Sequence, residues 1–166
     1  MGLVLFGFPR CGKSYFGSRL ATMLALPFVD LDRRMEQLDR RDLSNREIYL
    51  DLGEKGFREL ERRAILSLSV GSVVAVGAGA ILQPGHADLL SCVGKLVYLE
   101  LKKELLKRRA FTGMLPIVLD PTDPEGSFER LYAERLPRYE AIVAKRVQIE
   151  DDQQVLDELA RIARGH

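Results

Sequence analysis

The run GFPRCGKS at Gly7–Ser14 sets Gly7, Gly12, Lys13 and Ser14 at the spacing G-x-x-x-x-G-K-S. In such a loop backbone N–H groups wrap phosphates, the lysine reaches the outer ones and the hydroxyl binds magnesium. A second place for chemistry is FVDLD, where Asp30 and Asp32 close an apolar run. On a strand, residues two apart share a face, which sets these carboxylates roughly 6–7 Å from each other. One can hold the shell of a magnesium ion while the other accepts a hydrogen bond from an alcohol attacking a γ-phosphate. Asp32 also fits the N-cap of a helix beginning near Arg33, and the two roles are compatible.

These residues need a scaffold, and the flanking patterns supply one. LVLF (Leu3–Phe6) precedes the glycine loop and an amphipathic run follows it, so a bound anion would sit on a helix N-terminus. FVD (Phe28–Asp30), VVAVG (Val73–Gly77), KLVYLEL (Lys95–Leu101) and RVQIE (Arg146–Glu150) read as further strands of a parallel sheet covered on both faces, since neither face turns polar. Helical spacing fills the intervals. It groups Phe16, Leu20, Met23 and Leu24, then Phe57, Leu60, Ala64, Ile65 and Leu68, and finally Val155, Leu156, Leu159 and Ile162. Alternating strands and helices predict the α/β class, with right-handed crossovers around a central five-stranded parallel sheet flanked by helices. The stretch Thr112–Ser127, rich in proline and glycine, is a long loop of the kind that forms lids.

Composition narrows the function. The 166 residues fit one domain, 1–166, and 25 basic against 24 acidic residues leave no field to hold a nucleic acid. Cys11 and Cys92 make no disulfide framework, no leader pattern is present, and the apolar stretch near Val70–Leu82 is too broken by glycine to span a membrane. The expectation is a cytoplasmic protein. His86 and His166 lack the company of other metal ligands. A guanine-specific switch would carry N-K-x-D, yet the sole asparagine, Asn45, is followed by Arg46. VVAVG ends in glycine and not in the acid of a Walker B strand, so the metal's carboxylate must come from FVDLD.

Taken in order, GFPRCGKS, LPFVDLD, GEKGFRELE, GAGA, VYLE and ERLPRYE resemble the shikimate kinase family, small P-loop kinases related to the nucleoside monophosphate kinases. LPFVDLD followed by GEKGFRELE is the specific part. The resemblance implies ATP and Mg2+, with shikimate as the small-molecule acceptor, a monomer, and a place in the route to chorismate and the aromatic amino acids. It puts Arg10, Cys11, Gly12, Lys13, Ser14, Tyr15 and Arg109 at the nucleotide, and Ser14 with Asp30 at the metal. Asp32, Arg58, Ala78, Gly79 and Arg135 fall at the acceptor, with Lys13, Asp32 and Arg58 as the catalytic set. Arg58 and Arg135 match carboxylate-binding arginines, and a guanidinium fork suits a planar carboxylate. A lid at about 109–127 and an acceptor-binding segment at about 32–62 complete the expected layout.

The chain departs from the family at three points. Ala78 stands between Gly77 and Gly79, where three glycines are usual, and alanine resists a left-handed backbone, so a reshaped turn is expected. Leu115 precedes Pro116 where the family sets a lid arginine; such arginines are worth on the order of 10³–10⁵ in rate in related transfers. Either Arg108 or Arg109 reaches in from the preceding helix, which is the reading preferred here, or the enzyme is slow, or the protein is something else. Arg10 replaces a small residue, and either adds charge near the nucleotide or points to solvent. Cys11 reads as a small filler of the loop or as a thiol activated by the helix N-terminus. A kinase for gluconate or a nucleoside monophosphate, and a nucleotide-binding homologue with weakened catalysis, are the alternatives.

Overall fold

In a computed structural model describing all residues from Met1 to His166, the five apolar runs form one parallel sheet. Its strands are β1 (Leu3–Phe6), β2 (Phe28–Asp30), β3 (Val73–Ala75), β4 (Lys95–Glu100) and β5 (Lys145–Gln148), in the order β2-β3-β1-β4-β5. Val4 is in register with Val74 on one side and Leu96 on the other. β1 lies in the middle and is fully buried, which is why it is apolar on both faces. The outer strand β5 differs from the covered strand expected, for only Val147 is buried and Lys145, Arg146 and Gln148 are exposed. Charged side chains on an edge discourage pairing with a further strand.

Seven helices accompany the sheet: α1 (Lys13–Leu24), α2 (Leu31–Asp39), α3 (Asn45–Leu66), α4 (His86–Val93), α5 (Lys103–Ala110), α6 (Pro124–Ala141) and α7 (Asp152–Ala163). α1 packs on α7, and α3 packs on α4. Right-handed crossovers put these pairs on opposite faces, because β1 connects toward β2 and β3 connects the other way, past β1, to β4. The neighbouring C-terminal ends of β1 and β3 therefore lead to opposite faces and open a crevice between them.

The α7 stripe is buried as its spacing predicts, whereas Met23 of the α1 stripe is exposed. α3 starts well before Phe57. A capping box of Ser44 and Glu47 begins it, and Gly53, at φ 70 and ψ 178, breaks its axis just ahead of the FRELE turn. Leu68 lies beyond its end. α6 begins at Pro124, where Asp123 accepts from the Gly126 N–H at 3.1 Å, so the loop runs from Phe111 to Asp123 and ends earlier than the expected Thr112–Ser127. Leu119 is buried and pins the middle of this loop, while Met114 and Ile117 are exposed. Beneath the glycine loop, Phe6, Tyr98 and Tyr139 form one aromatic cluster, with Phe6 stacked on Tyr98 at 5.4 Å, and this fastens α6 to the sheet.

Candidate active site

A cleft of about 630 Å³ opens at the C-terminal ends of β1 and β3. Its floor at one end is the loop Gly7–Lys13. Gly12 caps α1 at φ 114, in the left-handed half of the map, and a Cβ there would lie 3.1 Å from the Phe16 ring. A Cβ at Gly7 would stand 2.8 Å from the Leu99 carbonyl oxygen. Both glycines are thus required by backbone and space together. Lys13 Nζ spans the loop, donating to the Gly7 and Phe8 carbonyls at 3.1 and 2.8 Å. Cys11 is wholly buried beneath the loop, which is the filler position.

Asp30 links this end to the next. Its Oδ2 accepts from Ser14 Oγ at 2.7 Å, while its Oδ1 accepts from the backbone N–H groups of Asp32 and Arg33. The helix cap is therefore Asp30 and not Asp32, and the two acids do not share a strand face: Asp32 belongs to the first turn of α2. The strand ends at Asp30, as its apolar run predicts, and does not continue to Asp32 as a shared face would need, because Asp30 supplies the acceptor that starts the helix at Leu31. Asp32 faces the cleft, with Oδ1 3.0 Å from where a Cβ on Gly77 would sit. Solvent reaches it, yet the concave walls surround it with protein. That burial, and then the charge of Asp30, hold its carboxyl above the ordinary range against the pull of Lys13 and Arg58.

The acceptor end is built around Gly79. A Cβ there would fall 3.0 Å from Arg58 Nη2 and 3.4 Å from Arg135 Nη2, so two guanidinium groups from α3 and α6 converge on one glycine. Arg58 is held from behind by Glu61, whose two carboxylate oxygens each accept from Nη1 at 3.0 Å. Glu61 is buried, and desolvation pushes its carboxyl up to about 7 even with Arg58 beside it. His86 lies behind it, also buried, with Nδ1 2.9 Å from the Ala80 carbonyl oxygen, and burial lowers its pKa so that it stays neutral.

Tyr139 donates its hydroxyl to the Ala78 carbonyl at 2.6 Å and so fixes the Gly77–Gly79 turn. Ala78 is not among the residues with positive φ, and neither neighbouring glycine is. The turn accepts a methyl group without strain, contrary to the reshaping expected.

The remaining expected residues divide. Arg10 lines the cleft and stays exposed, with its guanidinium bonded to carbonyls of the loop after α5. Tyr15 borders the cleft, with its hydroxyl engaged by Asp152 of α7 at 2.6 Å. Arg109 donates to the carbonyls of Arg10 and Cys11 at 3.2 and 3.3 Å, and neither it nor Arg108 lines the cleft. Arg109 is engaged by the backbone of the phosphate loop, and the structure brings neither arginine into the cleft in place of the one absent at Leu115. Asn45, Arg46, Tyr49 and Phe57 line the cleft without having been singled out, as Glu61 and Tyr139 support it. Only Glu61 left a local signal, an acid three residues after Arg58 on a helix.

No group of three or more His, Cys, Asp or Glu side chains is arranged to hold a metal. The paired oxygens of Ser14 and Asp30 nonetheless suit a hard cation that keeps waters and takes its other ligands from phosphates.

Comparison with known proteins gives a consistent picture. The family model for shikimate kinase matches residues 9–163. Over 139 residues the chain is 33% identical to the shikimate kinase of Mesorhizobium japonicum, an alignment covering 82% of this chain and 68% of that protein. The shikimate kinase from Acinetobacter baumannii, solved in complex with shikimate, superposes with a TM-score of 0.86 at 25% identity, over 97% of this chain and 91% of that one. A gluconokinase from Sinorhizobium meliloti has the same fold at a TM-score of 0.61 and 19% identity, over 98% and 93% of the two chains.

Proposed function

The chain belongs to the shikimate kinase family, and from this we propose that its cleft transfers the γ-phosphoryl group of ATP to the 3-hydroxyl of shikimate. The products are shikimate 3-phosphate and ADP, on the route to chorismate and the aromatic amino acids. The observation that carries the reading is the convergence of Arg58 and Arg135 on Gly79, with Asp32 against Gly77 two residues away. An acceptor with a carboxylate at one end and a hydroxyl near the other is met by cations and an anion in the matching order.

Each step follows from the residues present. Lys13 exchanges the Gly7 and Phe8 carbonyls for the outer phosphate oxygens, and the loop N–H groups from Arg10 to Tyr15 hold the rest. Arg58 and Arg135 bind the acceptor's carboxylate, and the backbone of Ala78 and Gly79 lies against its ring. Asp32 accepts a hydrogen bond from the 3-hydroxyl and aims its oxygen at the γ-phosphorus. As that oxygen forms its bond to phosphorus and the bond to the bridging oxygen of ADP breaks, the hydroxyl proton passes to Asp32. A carboxyl raised above its usual range is suited to receive it. Ser14 and Asp30 would hold Mg2+, Asp30 through a water, and the ion would offset phosphate charge.

We read 109–127 as the lid and 32–62 as the acceptor-binding segment. We read the protein as a monomer. No helix is long and apolar enough to cross a membrane, and the near-neutral charge gives no reason to invoke nucleic acid; a cytoplasmic setting fits both. ADP release measured with shikimate, gluconate and nucleoside monophosphates in turn tests the assignment. Acceptor-dependent release is expected with shikimate. Release with gluconate alone would move the chain to the sibling kinase, and ATP binding without any acceptor-dependent release would make it a binding protein.

A further inference from the structure

Arg10 is the residue of the phosphate loop that the reaction above leaves without a side-chain role. Its φ of 59 is a left-handed conformation that long side chains rarely adopt. Although the residue is exposed, its guanidinium is bonded by a group of carbonyl oxygens. Nη1 donates to the carbonyls of Arg109, Ala110 and Thr112 at 2.9, 3.1 and 2.8 Å, and Nη2 donates to that of Met114. The first two belong to the last turn of α5, where carbonyls lack helical partners and a cation is favoured. The other two lie on the ascending limb of the loop, which wraps around the guanidinium through Gly113 at φ 76. Arg109 returns the contact by donating to the Arg10 and Cys11 carbonyls.

Two segments about a hundred residues apart are thus clasped by reciprocal arginine-to-backbone bonds. One segment continues into Gly12 and Lys13. The other continues into Pro116, Ile117 and Val118, which line the cleft opposite. No acid pairs with Arg10, so its partners within the protein are these carbonyls.

We propose that Arg10 is a positioning residue that fastens the root of the lid to the phosphate loop, so that occupation of the loop by nucleotide phosphates sets the lid over the reacting groups. The inference rests on the kinase reading of the cleft. The planar fork is essential to it, since four carbonyls spread along a turn are reached by a guanidinium and not by a single ammonium. The lid's task here is the exclusion of water from a phosphoryl group in transit.

Arg10→Gly removes the side chain at a backbone angle that glycine adopts freely, so folding is retained, and unchanged thermal unfolding verifies this. Arg10→Lys keeps the charge and removes the fork. Because the chain contains no tryptophan, Met114→Trp, at a side chain 76% exposed, places a single fluorophore on the lid. With the native arginine, the anisotropy of this reporter should rise when ADP binds. In Arg10→Gly and in Arg10→Lys it should start lower and respond little to saturating ADP. In both, acceptor-independent ATP hydrolysis relative to transfer should increase about tenfold.

An ADP response equal to that of the native arginine in Arg10→Gly overturns the proposal. Full restoration by Arg10→Lys overturns it too, since charge near the phosphates would then be the residue's contribution. The reporter needs ADP but no turnover, so failure of shikimate as acceptor would sink the kinase reading while leaving the clasp to be judged separately.

Discussion

Asp32 and Glu61 stand at either side of Arg58, and both carboxyls are raised by burial, with opposite uses. Asp32 opens onto the acceptor, so its affinity for a proton serves the transfer. Asp32→Asn keeps shape and removes the proton acceptor, and should lower kcat by roughly 10²–10⁴ while calorimetry shows ADP affinity nearly intact. Near-native turnover would take Asp32 out of the reaction. Glu61 is closed off behind Arg58, and its elevated pKa makes a statement about stability. Between 4.5, its ordinary value, and about 7, the folded chain keeps a proton that the unfolded chain has released. Stability therefore falls as pH rises through that window and levels off above it. Arg58, His86, Asp32 and Glu54 face this carboxyl, and all remain in Glu61→Gln. Urea unfolding at pH 5 and pH 8 should show the wild type losing on the order of 3 kcal/mol relative to Glu61→Gln between the two. A constant difference would show that Arg58 holds Glu61 ionised throughout.

At the scale of elements, the break in α3 aims the acceptor site. Gly53, at φ 70 and ψ 178, lies in a region essentially reserved for glycine, and a Cβ there meets nothing within 4 Å. Gly53→Ala thus isolates the backbone term and should destabilise the fold by roughly 1–3 kcal/mol. The break also sets the angle between the half of α3 bearing Asn45 and Tyr49 and the half bearing Arg58. The KM for shikimate should consequently rise severalfold with that for ATP unchanged, and equal shifts in both would refute this aiming role.

The same helix shows what a sequence discloses. β1, β3 and β4 were legible because strands buried on both faces are unbroken apolar runs. The phosphate loop was legible because its donors are adjacent. The first half of α3 was not, since Ile48 is its only buried residue, although Ser44 and Glu47 wrote its start as a capping box. Asp30 took the cap assigned to Asp32 because the helix starts at Leu31, directly after the strand, and hydrophobic alternation does not resolve where one gives way to the other. Tyr139, 61 residues from the Ala78 carbonyl it holds, and Arg10, whose carbonyl partners lie across the fold, had no local pattern to betray them.

For the molecule as a whole, the two substrates meet because neighbouring strands send their chains to opposite faces of the sheet. The nucleotide end is borne by β1 and α1, and the acceptor end by α2, α3 and the turn after β3. The segment between α5 and α6 reaches both ends, through Arg10 at one and through Ile117 and Val118 lining the cleft. A ligand that orders this shared segment pays for the ordering once, and a second ligand then binds the segment already ordered. ADP should therefore tighten shikimate binding, and linkage requires shikimate to tighten ADP by the same factor, expected to be about fivefold or more. Titration calorimetry in both orders reads the two factors directly. Shikimate affinity that ignores saturating ADP would mean that the ends of the cleft bind independently and that the lid is not common to them.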